Sequence, residues 1–211
     1  MPTSFGGWNK AAFVYDIDGH FSVSRFRDIV MCQLQESSLS GSVISLHIEN
    51  CLKLMHIFRP TSSDQLAVSL AHLPLYHSKH FPDFELGLIA IHSLDAFYWI
   101  DRYHTEQART SPGYSLSPKL ASILDKVQRL YGMFVLLSVW GLPQRSRWTS
   151  PADANDPSSL DCENGWHQIS LQHTFPGSQR VERIGSVQSP GHGEAAKFDF
   201  RIARPGLLFE L

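Results

Sequence analysis

The sequence has little cysteine, no excess of either charge and no long apolar run, and each scarcity excludes a class of protein. Its three cysteines, Cys32, Cys51 and Cys162, are widely spaced and form no CxxC pair, so neither a disulfide framework nor a zinc site is indicated. The 18 basic and 20 acidic residues nearly cancel, which argues against binding nucleic acid through bulk charge. Any DNA contact is therefore expected to be local, or supplied by a partner.

No stretch of the chain has the apolar length that a membrane segment needs. The longest apolar run, 133–142, has about half the length of a spanning helix. At the N-terminus no basic segment precedes an apolar run, so no signal peptide is predicted. We therefore expect a soluble intracellular protein with no membrane partner.

What the chain does contain is a series of apolar strands alternating with amphipathic helices. Its 211 residues, 43% of them hydrophobic, suit one packed domain over 1–211. Strands are predicted at Phe13–Asp18, Cys51–Phe58, Glu85–Leu94 and Met133–Trp140, and helices at 24–35, at 62–73 with Ser62 and Gln65 as a capping box, and at 117–131 with Gly132 as its stop. This alternation predicts an α/β fold, a mostly parallel sheet flanked by helices.

The last third of the chain has a different pattern. Strand-like segments at 166–175, 197–203 and 207–210 follow, and the last two flank Arg204-Pro205-Gly206 as a hairpin would. We therefore predict antiparallel strands at the C-terminus. Mobile loops are predicted at about 101–116, 141–165 and 176–196, where turn-forming and polar residues concentrate.

Polar or aromatic residues end three of the predicted parallel strands. Asp16 and Asp18 end the first, His92 and Ser93 the third, and Trp140 the fourth. Ligands of parallel sheets bind beyond the carboxyl ends of the strands, so these residues are expected to share one crevice. Two plainer interpretations stay open: the acids cap the following helix, and the histidine is hydrogen-bonded to neighbouring backbone.

Three histidines, His72, His77 and His80, raise the alternative of a metal site. Pro74 interrupts the helical spacing among them, so surface histidines are the better interpretation and no metal site is predicted. An unrelated α/β enzyme using the same crevice is a further alternative, although the chain has neither a nucleophile elbow nor a dinucleotide fingerprint.

Two blocks of sequence resemble a known family. The block 88–102, LIAIHSLDAFYWIDR, resembles the Walker B strand and following turn of the eukaryotic RecA-family recombinase paralogs. The block 6–21, GGWNKAAFVYDIDGHF, resembles the strand after that family's phosphate-binding helix. The resemblance implies a RecA-like P-loop NTPase core, with ATP and magnesium held at the carboxyl ends of the strands.

The same resemblance shows that the chain differs from the family's pattern at several positions of the nucleotide site. The chain contains no GxxxxGK[ST] motif, so the expected core is N-terminally incomplete: either the motif lies upstream of a start placed too late, or it was lost. Asp18 stands where active relatives have a catalytic glutamate, His92 where an aspartate orients magnesium, and Trp140 where a glutamine senses nucleotide. Ser93 matches the family. Rapid ATP hydrolysis by this chain is therefore not expected.

The resemblance also implies where DNA would be bound. Two predicted loops occupy the positions of recombinase DNA-contact loops, with Arg102 and Arg109 in the first and Arg145, Arg147 and Trp148 in the second. Arginine beside an aromatic can pair with phosphate and stack on a base. The second loop also carries four acids, so a solvated loop is an equal alternative. The better interpretation of the three aromatic residues before the first loop is packing or subunit contact, and not base stacking. They are Phe97, Tyr98 and Trp99.

The function that the resemblance implies is DNA repair by homologous recombination. The chain would be a nuclear subunit that joins other recombinase paralogs and helps to load or stabilise the recombinase filament on single-stranded DNA at double-strand breaks and stalled forks. Contact with single-stranded or branched DNA would come through that complex. The alternative is a DNA-dependent ATPase of the same family whose Walker A motif lies upstream.

Overall fold

The structure, a computed structural model, describes residues 7–35, 40–107, 118–139, 168–173, 183–188, 196–203 and 206–210. The chain divides into two compact units. The first joins Met1–Val23 to Leu39–Ser158, and the second joins Ser24–Ser38 to Ser159–Leu211. That residues 1–211 form a single domain stays a prediction.

The first unit is built on a parallel sheet. Its strands are β1 (Ala11–Asp16), β2 (Met55–Phe58), β3 (Leu86–His92) and β4 (Phe134–Leu137), in the order β2-β1-β3-β4. All neighbouring pairs are parallel, with Tyr15 opposite both Phe58 and Ile91. The carboxyl ends of the four strands therefore lie along one edge, and the predicted α/β class is confirmed.

Six helices accompany the described strands. They are α1 (Val23–Gln35), which runs into the second unit, α2 (Gly41–Lys53), α3 (Ser63–Ala71), α4 (Leu73–His80), α5 (Tyr98–Gln107) and α6 (Pro118–Tyr131). At the start of α3 the Ser62 side chain accepts the Gln65 N–H at 3.1 Å, which confirms Ser62 as the cap. The Gln65 side chain accepts the N–H of Thr61 at 2.6 Å and not that of Ser62, so the reciprocal half of the capping box is displaced by one residue. Gly132 stops α6 with a left-handed φ of 59°. Across the described residues, no helix is both long and apolar enough to span a membrane.

One face of the parallel sheet carries the core of the first unit. Alternation along β1 and β3 points a set of large side chains to the same side. These are Phe13, Tyr15, Ile89 and Ile91, all essentially unexposed. Leucines of α3 and α6 cover them: Leu66, Leu70, Leu120 and Leu124. Burial of the Tyr15 hydroxyl in this core raises its pKa to about 12.

The second unit contains most of α1 and an antiparallel sheet. Its strands β5 (Gln168–His173), β6 (Arg183–Gln188), β7 (Ala196–Ala203) and β8 (Gly206–Glu210) follow one another in chain order. The predicted C-terminal antiparallel strands and hairpin are confirmed, with Ala203 opposite Gly206. These strands form a sheet of their own and do not extend the parallel one.

All four predicted parallel strands differ in their bounds from the observed ones. β1 ends at Asp16 and β3 at His92, so Asp18 and Leu94 lie beyond the strands that were predicted to contain them. Residues 51–53, predicted as strand, belong to α2, because Ile44, Ile48 and Cys51 recur at helical spacing and are all buried. The strand predicted at 133–140 is shorter, and it is not buried throughout: Phe134 and Leu136 of β4 are exposed. Val135 and Leu137, which alternate with them, pack against the core, so Phe134 and Leu136 share the other face of β4, which is open to solvent.

Two predicted loops also need correction. Residues 101–107 are helical, because α5 continues to Gln107, and 108–116 lie outside the described residues. The loop predicted at 176–196 contains β6, whose backbone pairs with strands on both sides despite a glycine and a serine in its sequence. Pairing on two sides overrides weak strand propensity. The loop predicted at 141–165 lies wholly outside the described residues.

Candidate functional site at the carboxyl edge of the parallel sheet

Asp16, the last residue of β1, is a buried carboxylate with a donor at each oxygen. Its side chain is 0% exposed. Oδ1 accepts the Phe21 N–H at 3.0 Å, and Oδ2 accepts Nε of Arg59 at 3.1 Å. The first bond fastens the turn after β1, and the second ties β1 to the residue that follows β2. Asp16 thus joins two strand ends.

Asp18 lies two residues further along the same turn and faces β3. Its Oδ1 accepts the His20 N–H at 3.1 Å, and its Oδ2 accepts the Ser93 hydroxyl at 2.5 Å. Two imidazoles flank it, with His20 Nδ1 at 3.4 Å from Oδ2 and His92 Nε2 at 3.8 Å from Oδ1. Gly19, with a left-handed φ of 74°, permits this tight turn.

The pKa of Asp18 reflects these neighbours. Burial alone would raise the pKa, because it penalises the charged carboxylate. The Ser93 and His20 hydrogen bonds and the two imidazoles act in the opposite direction and prevail. They hold the pKa of Asp18 below its ordinary value, so the group is ionised at neutral pH.

The end of β3 is tied to the end of β4 through Ser138. The Ser138 hydroxyl accepts the Ser93 N–H at 3.0 Å and lies 2.9 Å from Nδ1 of His92. The Ser138 backbone N–H donates to the Ile91 carbonyl, and its carbonyl accepts the Leu94 N–H, both at 2.9 Å. Ser93 adopts a left-handed φ of 56°, an uncommon conformation for a residue other than glycine.

The structure therefore brings four of the predicted site residues to one edge: Asp16, Asp18, His92 and Ser93. Their proposed roles at a nucleotide or magnesium site, and the catalytic role of Asp18, stay predictions. The two acids hold the turn that precedes α1. The hydrogen-bond partner of His92 is the side chain of Ser138, which directly follows β4. Trp140 lies outside the described residues.

Three residues of this edge were missed by sequence reasoning, namely Ser138, Arg59 and His20. The fourth strand was predicted to run to Trp140, three residues beyond its observed end at Leu137. Ser138, which directly follows the observed end, was therefore overlooked. Arg59 directly follows the predicted end of the second strand, so the strand-end rule alone would have found it. His20 has no signal beyond its closeness to Asp18.

The predicted DNA-contact positions are mostly beyond what the structure describes. Arg102 belongs to α5 and not to a loop; Arg109, Arg145, Arg147 and Trp148 lie outside the described residues. Of the three aromatic residues before them, Phe97 is buried and Trp99 is 62% exposed. With Ile100 and Tyr103, Trp99 makes an exposed apolar face on α5.

The three histidines considered for a metal site have separate partners. His72 Nδ1 lies 2.9 Å from the Val68 carbonyl, and His77 Nε2 lies 2.9 Å from the Phe84 carbonyl. His80 packs against the ring of Tyr76 at 4.4 Å. In the part of the chain that the structure describes, no group of three or more ligating side chains is placed to hold a metal ion.

Comparison with known proteins finds a relative that acts in DNA repair by its name. No protein-family model matches the chain. The chain is 26% identical over 164 residues to the Mus musculus protein named DNA repair protein XRCC2. The match covers 77% of this chain and 54% of that protein, so the chain spans about half the length of its relative. The resemblance to the eukaryotic RecA-family recombinase paralogs is thereby confirmed, and the chain is similar to DNA repair protein XRCC2 over most of its length.

Proposed function

We propose that this chain acts in DNA repair by homologous recombination as a recombinase-paralog subunit with a degenerate nucleotide site. It assists loading or stabilisation of the recombinase filament on single-stranded DNA at double-strand breaks and stalled forks, and it does so in the nucleus. The observation that carries the proposal is the similarity to DNA repair protein XRCC2 over 77% of the chain.

The geometry of the carboxyl edge supports the same proposal. The two blocks that carry the resemblance are separated by more than sixty residues, yet they meet in β1 and β3, neighbours in the sheet, with Asp16 opposite His92. Blocks that resemble one family and also adjoin in space are what a shared ancestral site produces. A RecA-like core places its nucleotide at this edge of a parallel sheet.

A role inside a complex is supported by the surface of α5. Trp99, Ile100 and Tyr103 are each more than half exposed, and large apolar side chains of this kind are enriched at protein–protein contacts. The formal charge of -2 suits contact with single-stranded or branched DNA through other paralogs better than through this chain alone.

The proposal is tested by disrupting the gene in the organism that encodes it. We expect reduced survival after ionising radiation and fewer recombinase foci, both restored by the wild-type chain. Affinity purification from the same cells should recover another RecA-family protein. The double variant Trp99→Ala/Tyr103→Ala should lose that partner, whereas Leu75→Ala, which also removes an exposed apolar side chain, should keep it. Normal survival and normal foci in the disrupted strain would overturn the proposal.

The alternative of a DNA-dependent ATPase with an upstream Walker A motif has its own test. The genomic DNA before Met1 is translated in the same frame. A GxxxxGK[ST] motif preceded by an apolar strand supports the ATPase, and its absence within about a hundred codons removes it.

A further inference from the structure

Asp16 is the acid of the carboxyl edge that is furthest from solvent. Its two oxygens already accept from the Phe21 N–H and from Nε of Arg59, and its side chain is 0% exposed. A cation approaching this carboxylate would have to displace a guanidinium and open a turn. Asp16 is therefore an internal partner of Arg59 and is not available as a ligand.

Asp18 is more accessible, at 15% exposure, but its oxygens are engaged as well. The Ser93 hydroxyl donates to Oδ2, and the His20 N–H donates to Oδ1. His92 Nε2 stands 3.8 Å from Oδ1, in the space that a metal ligand or its water would need. The carboxylate is thus surrounded by donors that come from its own turn and from β3.

The contacts of Ser138 fix the position of the His92 ring. The Ser138 hydroxyl accepts the Ser93 N–H and lies within hydrogen-bond distance of His92 Nδ1. The other ring nitrogen, Nε2, faces Oδ1 of Asp18 at 3.8 Å. Ser138 thus holds the imidazole beside the acid.

Magnesium requires a different environment. It takes six oxygen ligands at about 2.0–2.1 Å and is held by carboxylates whose oxygens are free to coordinate. Here each oxygen of the accessible acid already accepts a hydrogen bond, from the Ser93 hydroxyl or the His20 N–H, and the imidazoles beside it are poor ligands for a hard cation. Of the residues that the structure describes, no three ligating side chains are placed around an ion. The residues present do not fit magnesium.

We infer that the carboxyl edge of the first unit is closed by its own side chains: the Ser93 hydroxyl and the His92 imidazole occupy the two sides of Asp18 from which a magnesium ion would be bound. The closed edge needs no divalent cation to hold the ends of β1, β3 and β4 together. It does not depend on the proposed repair role, because every contact in it lies within this chain.

The first test titrates the purified full chain, freed of metal, with magnesium chloride in a calorimeter and follows its thermal unfolding midpoint. We expect no saturable heat and the same midpoint in EDTA and in millimolar magnesium. Saturable binding that Asp18→Asn abolishes would overturn the inference. If Asp18→Asn binds magnesium as tightly as the wild type does, the ion is bound elsewhere on the protein, and the inference about the carboxyl edge holds.

The second test asks whether His92 is what excludes the ion. His92→Asp sets a carboxylate beside Asp18, so repulsion between like charges should lower the unfolding midpoint in EDTA, and magnesium should restore it. His92→Asn is the matched control, since it removes the imidazole without adding charge. We expect His92→Asp to bind magnesium at least about tenfold more tightly than His92→Asn.

The two variants discriminate even when one is unstable. If His92→Asp does not fold in EDTA but folds in magnesium, the inference is supported. If neither His92→Asp nor His92→Asn binds magnesium more tightly than the wild type, the imidazole is not the group that closes the edge, and the inference fails. The wild-type titration decides the question when neither variant folds.

Discussion

The two ends of the parallel sheet contain polar contacts of similar length in different surroundings. At the carboxyl end, Asp16 and Asp18 are 0% and 15% exposed and are tied to other strand ends. At the amino end, Lys10 and Glu85 form a 2.8 Å ion pair with side chains 39% and 78% exposed. Beside that pair, the exposed ring of Trp8 stacks on Phe134 with centroids 5.0 Å apart.

The difference shows that contact distance is a poor guide to stability. An exposed ion pair exchanges good hydration for a screened attraction, so its net contribution is small. A buried carboxylate that loses its donors has no water to replace them, so the free energy of unfolding falls by the full cost of the lost hydrogen bonds. The carboxyl end should therefore tolerate substitution badly and the amino end well, although the Lys10–Glu85 ion pair is shorter than the Arg59–Asp16 pair.

The largest effect is expected for Asp16→Ala. The substitution removes the acceptor of the Phe21 N–H and of Arg59 Nε, and we expect a loss of about 2–3 kcal/mol in the free energy of unfolding. Urea denaturation of the full chain, followed by circular dichroism, measures it. Asp125→Ala is the control, because Asp125 pairs with Arg129 at 2.9 Å on the exposed side of α6.

That control should change the unfolding free energy by no more than about 0.5 kcal/mol, as expected for an exposed pair one helical turn apart. Equal losses in Asp16→Ala and Asp125→Ala would mean that burial at the carboxyl edge does not determine the cost. The comparison between the two ends of the sheet would then fail.

A smaller effect is expected for Ser138→Ala. It removes the oxygen that accepts the Ser93 N–H and the hydroxyl that bonds His92, at a cost of about 1–2 kcal/mol. Ser78→Ala is the control, since Ser78 donates only to the Leu75 carbonyl on an exposed helix surface. Combined with His92→Ala, Ser138→Ala should show a coupling of at least about 0.5 kcal/mol. Strict additivity would contradict the hydrogen bond.

The ionisation of Asp18 predicts how stability depends on pH. Its pKa is lower in the folded state than its ordinary value, since the Ser93 and His20 hydrogen bonds and the imidazoles outweigh burial. Its contribution is therefore complete above about pH 4 and is lost as the pH falls through the folded pKa. Asp18→Asn should have a flatter acid limb than the wild type in denaturation at a series of pH values. Parallel acid limbs would contradict this assignment.

Much of the first unit was predictable because its elements carry local signals. Apolar runs marked β1 and β3, Ser62 and Gln65 marked the start of α3, and Gly132 marked the end of α6. Strand boundaries were harder, because pairing decides them. The Ser138 N–H still donates to Ile91 of β3, but its carbonyl accepts the Leu94 N–H and its hydroxyl accepts the Ser93 N–H. The regular ladder therefore ends at Leu137, and nothing in the local sequence indicates that change.

The candidate site was predictable in position but not in its bonding. That polar residues end the strands of a parallel sheet follows from the sequence, and Asp16, Asp18, His92 and Ser93 are found together. That Ser93 donates to Asp18 across 75 positions of sequence, or that Ser138 fixes His92, depends on strand order and register, which a sequence pattern does not contain.

The smallest effect is expected at the amino end of the sheet. Lys10→Ala and Glu85→Ala should leave the unfolding midpoint indistinguishable from the wild type, although the ion pair is short and the pKa of Glu85 is lowered by the hydrogen bond and charge of Lys10. Because water and salt screen both side chains, any residual difference should vanish as the salt concentration rises. Lys10→Ala keeps the Cβ atom of Lys10, the side-chain atom nearest to Gly87. A salt-insensitive loss as large as that of Ser138→Ala would show that the amino end is as strongly coupled as the carboxyl end.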